Sequence, residues 1–153
     1  MKLDSIDKTL LSTLQKYGRI TNVDLAERVG ISAPPCLRRL KLMESNGVIK
    51  GYHAEINAKV LDFNLQALCI ITLNSQDSKD VDTFLANIEK CKNIRSCTST
   101  AGNENFILSI VAKDMHEYES ILKKEIQSGG IVNSIKTYIQ VNKHKDEPGL
   151  PIL

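Results

Sequence analysis

The chain has 153 residues, 42% of them hydrophobic and 25% charged, with a formal charge of +2. That length predicts one domain or two small ones, and the apolar fraction suffices for an ordinary core, which excludes extended disorder and collagen-like repeats. The longest apolar run, residues 67–71, falls far short of the roughly 20 residues of a membrane-spanning helix, and Asp4 and Asp7 interrupt any signal-peptide core, so no membrane partner and a cytoplasmic location are expected.

The near-neutral total hides an asymmetry. Residues 1–50 carry nine Lys/Arg against five Asp/Glu, and the rest of the chain eleven against thirteen. A basic front joined to a mildly acidic back suggests two jobs, one of them facing a polyanion.

In chain order, Ile6, Leu10, Leu11 and Leu14 recur at helical spacing after Asp4, a cap with Asp7 three residues on, and the segment ends at Gly18. A shorter helix is framed by Thr21 and Asp24 and closes at Gly30, a natural left-handed C-terminal residue. The third begins at Ser32, tolerates Pro34 and Pro35 in its first turn, and stops near Ser45 before Gly47. On a helical wheel Cys36, Leu37, Leu40 and Met43 share an inner face, while Pro34, Pro35, Arg38, Lys41, Leu42 and Ser45 spread over the outer one, with Arg39 at the margin. A short helix, a tight break at residues 30–32 and a helix with an apolar inner and basic outer face form the pattern of a helix-turn-helix.

Such a unit sets the N-terminal half of its second helix in the major groove, where arginine can take the guanine O6 and N7 acceptors with two hydrogen bonds. Pro34, Pro35 and Arg38 are placed to approach base edges, Arg39 and Lys41 to meet phosphates, and Ser32 to offer backbone N–H groups to a phosphate. Spacing alone leaves a solvated three-helix bundle as the alternative.

Residues 51–63 read as a hinge with a short strand at 52–56. Beyond it come a strand at 65–73, a helix at 78–91, a strand at 94–100, a turn at 102–105, a strand at 106–111, a helix opened by Asp114 with Glu117 in a capping box and broken by Gly129-Gly130, and a strand at 132–141. The order βαββαβ predicts a ferredoxin-like antiparallel sheet with two helices on one face. Leu68, Ile70, Ile110 and Ile139 leave apolar atoms on both faces, which predicts sheet-to-sheet association between subunits. Residues 146–153, with Pro148 and Pro151 and no periodicity, read as a flexible tail.

Cys36, Cys69, Cys91 and Cys97 have no metal-ligand spacing and read as reduced thiols; His53, His116 and His144 are scattered. No metal site, no cofactor and no catalytic constellation is expected, and Asp114 and Glu117 are taken as capping residues.

The segments Leu25-Ala26-Glu27-Arg28-Val29-Gly30-Ile31-Ser32, Pro35-Cys36-Leu37-Arg38-Arg39-Leu40 and Gly47-Val48-Ile49-Lys50-Gly51-Tyr52, followed by the βαββαβ tail, resemble the Lrp/AsnC family of feast/famine regulators, and Pro-Cys-Leu is closer to its leucine-responsive branch than to its asparagine-responsive one. The resemblance implies an α+β chain, with a winged-type helix-turn-helix at 1–50 and a ferredoxin-like effector-binding and oligomerisation domain at 64–145. It implies a homodimer building tetramers, octamers or larger discs, binding double-stranded promoter DNA and answering to a small amino acid. Ser32, Pro35, Arg38, Arg39 and Lys41 match the DNA-reading helix. The family's Gly-x-x-Asp effector turn corresponds to Gly102, Asn103, Glu104 and Asn105, with Asn105 in place of the acid, and its Pro-Gly before the last strand is replaced by Gly129-Gly130. A carboxylate able to pair with a ligand ammonium is then lost unless Glu104 supplies it. Lys136, Thr137 and Tyr138 match another part of the pocket and the assembly surface. The alternatives are a DNA-packing protein of low specificity and a metabolite-binding ferredoxin-like protein without regulatory DNA binding.

Overall fold

A computed structural model describes residues 2–102 and 105–152. The chain divides into two units, Met1–Ile56 with Lys145–Leu153, and Asn57–His144.

The first unit holds α1 (Ser5–Lys16), α2 (Asn22–Val29) and α3 (Ala33–Ser45). Each boundary has a local cause. Asp4 caps α1 in a full capping box, accepting from the Asp7 N–H at 2.8 Å while its own N–H donates to the Asp7 carboxylate at 3.1 Å. Thr21 caps α2 by accepting from the Asp24 N–H, and Gly30 ends it at φ +77°, a conformation that costs glycine nothing. Leu10, Leu25, Ala26, Cys36 and Met43 form the buried centre. Tyr17 closes the α1–α2 corner, with the Arg28 guanidinium 4.3 Å and the Lys16 ammonium 5.4 Å from its ring centre.

One polar contact ties α3 to α1. Arg39 Nη1 donates to the carboxylates of Asp4 at 2.7 Å and Asp7 at 2.8 Å, and Asp7 is buried. Residues 145–153 also belong to this unit. The Gln15 side chain donates to the Leu150 carbonyl at 2.9 Å and accepts from the Leu150 N–H at 2.7 Å, so α1 holds the stretch read from sequence as a loose tail.

In the second unit a 3-10 turn, Ala58–Leu61, precedes β1 (Leu65–Leu73), α4 (Ser78–Lys90), β2 (Ile94–Ser99), β3 (Phe106–Ala112), α5 (Met115–Ile121) and β4 (Val132–Ile139). Residues 52–56 form no strand and have no place in the sheet. The helix opened by Asp114 changes character partway: after α5 a π-type segment, Leu122–Ile126, carries the chain to the glycine pair. The sheet order is β2-β3-β1-β4, antiparallel throughout, the arrangement that a βαββαβ chain produces.

The period-2 rule sorts the sheet cleanly. Ala67, Cys69, Ile71 and Leu73 of β1 and Phe106, Leu108, Ile110 and Ala112 of β3 are buried against Phe84 and Ile88 of α4 and Tyr118 and Ile121 of α5. The Phe84 and Phe106 rings meet at 4.9 Å between centroids. The alternate residues, Leu68, Ile70, Ile107, Val111 and Tyr138 among them, lie on the face without helices, where Leu68 and Tyr138 are exposed. Beneath the helices Tyr118 places its hydroxyl 2.8 Å from Cys69 Sγ and 2.7 Å from Thr137 Oγ1, joining α5, β1 and β4. Burial, then the Cys69 contact, pushes the Tyr118 hydroxyl well above its ordinary value, so it stays neutral and free to donate.

Two predictions follow from these contacts. Tyr118→Phe keeps the ring and removes the shared hydroxyl, and we expect a loss of about 1 kcal/mol in urea unfolding without a change of m-value. The Asp4 carboxyl is held below its usual value of 3.8, first by the Asp7 backbone N–H and next by Arg39. A carboxyl with a lower pKa folded than unfolded stabilises the fold above the unfolded value and loses that contribution as pH falls through the folded one. Arg39→Gln is therefore expected to melt below the wild type at about pH 6, with the gap narrowing below about pH 4; a gap independent of pH would exclude this account.

Candidate nucleic-acid interface and effector site

The outer side of α3 is set by what its inner side buries. Cys36 and Met43 are fully covered, and Leu40 packs against the same centre. At 100° per residue this turns Pro34, Arg38, Lys41 and Ser45 outward, and all four are exposed. Arg38, Lys41, Leu42 and Ser45, with Arg39 at the edge, line an open groove along the helix. Pro35 is half-buried.

Two of the expected DNA contacts are placed differently. Arg39 points to α1, where Asp4 and Asp7 occupy its guanidinium and raise its already high pKa, Asp7 contributing most. Ser32 is exposed and makes no side-chain capping bond. The backbone behind it is also poor in donors. Pro34 and Pro35 have no N–H, and the Cys36 N–H is already bonded to the Ser32 carbonyl at 3.2 Å. The start of this helix therefore has few backbone donors to offer, and the positive charge of its outer face is carried by the Arg38 and Lys41 side chains. Asn22 of α2 fixes that start by donating to the Ala33 carbonyl at 2.9 Å.

Leu37 is the residue that the helical wheel misplaced. It is 43% exposed and is absent from the cluster around Cys36. One step of 100° from Cys36 carries it to the rim of the buried stripe, three residues after Pro34 and one before Arg38, and that spacing was the signal to read.

The second site gathers at the C-terminal end of β1. Asn105 donates from its N–H to the Ile71 carbonyl at 3.0 Å, its side-chain oxygen accepts from the Leu73 N–H at 2.6 Å, and its carbonyl closes the β2–β3 connection by accepting from the Thr100 N–H. The next residue of β1's exit, Asn74, bonds the Ile131 carbonyl through its backbone at 2.9 Å and the Gly130 carbonyl through its amide at 2.7 Å. One strand end thus holds the loop of Gly102 and Asn105 beside the loop of Gly129 and Gly130. Both of these last glycines have positive φ, +101° and +67°, while a Cβ at Gly102 meets nothing within 4 Å. Asn103 and Glu104 lie outside the described residues.

The side-chain amide oxygen of Asn105 meets a backbone donor without bringing a charge. Asn74 was not foreseen, although an asparagine directly after a buried strand is a common turn former. Tyr138 is not part of this cluster. It pairs with Leu68 across β1–β4, five residues from Leu73 and about 17 Å away along the strand, and stands exposed on the open face of the sheet. Among the described residues no group of three His, Cys, Asp or Glu side chains is placed to hold a metal ion, and no helix is long and apolar enough to cross a membrane.

Comparison with known proteins matches each half of the chain. Residues 3–50 fit the winged helix-turn-helix DNA-binding family and residues 66–150 the Lrp/AsnC ligand binding domain. The leucine-responsive regulatory protein of Rhizobium meliloti is 38% identical over 146 residues, covering 95% of this chain and 94% of its own, and that of Escherichia coli is 35% identical over 150 residues, covering 98% and 92%. Among solved structures, a transcriptional regulator from Neisseria meningitidis in complex with L-Met superposes with a TM-score of 0.93 at 29% identity, covering 98% of this chain and 97% of that one. Escherichia coli AsnC shares the fold, with a TM-score of 0.85. Matched in both halves and aligned with its relatives along nearly its whole length, the chain belongs to the Lrp/AsnC family of transcriptional regulators.

Proposed function

We propose that the chain is a sequence-specific regulator of amino-acid-related metabolism whose α3 reads promoter DNA and whose ferredoxin-like unit binds a small amino acid. The observation that carries this reading is the single outward face of α3, where Pro34, Arg38 and Lys41 stand exposed while the opposite face is buried. Arg38 lies in the N-terminal half of the helix, the part that enters a major groove, and takes the guanine-reading role. Lys41, one turn further on, meets phosphate. Arg39 acts through Asp4 and Asp7 as a positioning residue for α3.

The apolar stripe on the open face of the sheet supports self-association. Leu68, Ile70, Ile107 and Val111 lie there with Tyr138, and a second copy would remove them from water. A dimer brings two α3 helices to one duplex, suited to half-sites about one helical turn, roughly 34 Å, apart. We assign the effector to the two loops that Asn74 and Asn105 hold side by side at the end of β1, the loop of Gly102 and the loop of Gly129 and Gly130. The Neisseria meningitidis relative in complex with L-Met supports an amino acid as that effector. Binding there favours one assembly over another and so alters DNA affinity by differential stabilisation.

Arg38→Ala is expected to cost about 1–3 kcal/mol on the preferred site and to relax sequence preference, whereas Lys41→Ala weakens all duplexes alike and lowers the salt slope by about one. Equal losses on preferred and random DNA for both variants would overturn this division. For the effector, thermal unfolding across the twenty amino acids, with assembly size followed in parallel, is expected to pick out one class. A ligand at a hundred times its Kd adds about 2.7 kcal/mol. Asn105→Asp, which keeps the acceptor for the Leu73 N–H and adds a charge, is expected to strengthen that response. No shift with either protein would exclude amino-acid sensing at this site.

A further inference from the structure

Leu37 is an aliphatic side chain on the same exposed surface of α3 as Pro34, Arg38 and Lys41, and its own unit leaves much of it open to solvent. It is 43% exposed and stands outside the cluster that takes in Cys36, Leu40 and Met43. Positions 34, 37, 38 and 41 follow the i, i+3, i+4, i+7 spacing of one helix surface, and all four residues are exposed. A leucine flanked by a proline, an arginine and a lysine has no ionic or hydrogen-bonding use there. The major groove presents donors and acceptors at every base pair, but only one apolar group, the C5-methyl of thymine.

We propose that Leu37 is a specificity-determining residue that packs on a thymine methyl beside the base pair read by Arg38. The proposal rests on the DNA-reading assignment of α3. Leu42, at 50% exposure, is the other aliphatic side chain near this surface. It sits on the opposite margin and in the C-terminal half of α3, away from the end that enters the groove, so the methyl contact falls to Leu37.

The test uses the full chain. A preferred duplex is enriched from random DNA, and each thymine in it is then replaced in turn by uracil, which lacks only the methyl group. Wild type is expected to lose about fourfold in affinity at one thymine, the equivalent of one buried methyl. Leu37→Ala is expected to bind the thymine and uracil duplexes equally, Leu42→Ala to keep the wild-type difference, and Leu37→Met to retain part of it. Wild type that binds uracil as tightly as thymine at every position overturns the proposal, as does Leu37→Ala that still discriminates or a loss of discrimination in Leu42→Ala alone. If no sequence is enriched at all, the regulatory reading of α3 falls and takes this inference with it, an outcome separate from an enriched site that is indifferent to the methyl.

Discussion

A carboxylate buried in the first turn of a helix needs a counter-charge, and Asp7 finds it on another helix. The Arg39 guanidinium reaches Asp7 and the cap residue Asp4 together, so the start of α1 and the middle of α3 share one polar anchor. The direction of α3 follows from that anchor and from the apolar packing around Cys36 and Met43, which together define the inner half of the helix. What is left outside is the exposed face of Pro34, Arg38, Lys41 and Ser45. Of the three ionic groups only Asp7 has been withdrawn from water, while Asp4 stays half-exposed and Arg39 partly covered.

The second unit is organised around β1 in a comparable way. As an inner strand it pairs with β3 on one side and β4 on the other, and its alternate residues separate a helix-covered face from an open one. Its C-terminal end is where Asn105 and Asn74 gather two loops. The same strand therefore borders both the apolar open face of the sheet and the two polar loops at its end.

Local grammar made most of this architecture legible in the sequence. The caps at Asp4, Thr21 and Asp114, the left-handed stop at Gly30 and the strand periodicity are all written within a few neighbouring residues. What escaped depends on partners far along the chain. Arg39 reads as a surface cation until Asp4 and Asp7, more than thirty residues away, come beside it. Gln15 gives no sign of Leu150, 135 residues on. Residues 52–56 alternate like a strand, yet a strand exists only where another backbone accepts its hydrogen bonds. The neighbour of Tyr138, Leu68, is set by strand register and by nothing near it in the sequence. Leu37 was a boundary case of the helical wheel, where one residue's step decides between core and surface.

The two prolines at the start of α3 have a consequence beyond the donors they lack. Their rings fix φ near the helical value before any partner arrives, so the first turn has little backbone freedom left to lose on association. They also narrow the unfolded ensemble, each by an amount of about 0.4–1 kcal/mol where the native angles suit the ring. A surface prepared in this way spends less entropy on ordering itself, and more of its contact energy appears as affinity. The start of α3 is in this sense a first turn whose shape is set in advance.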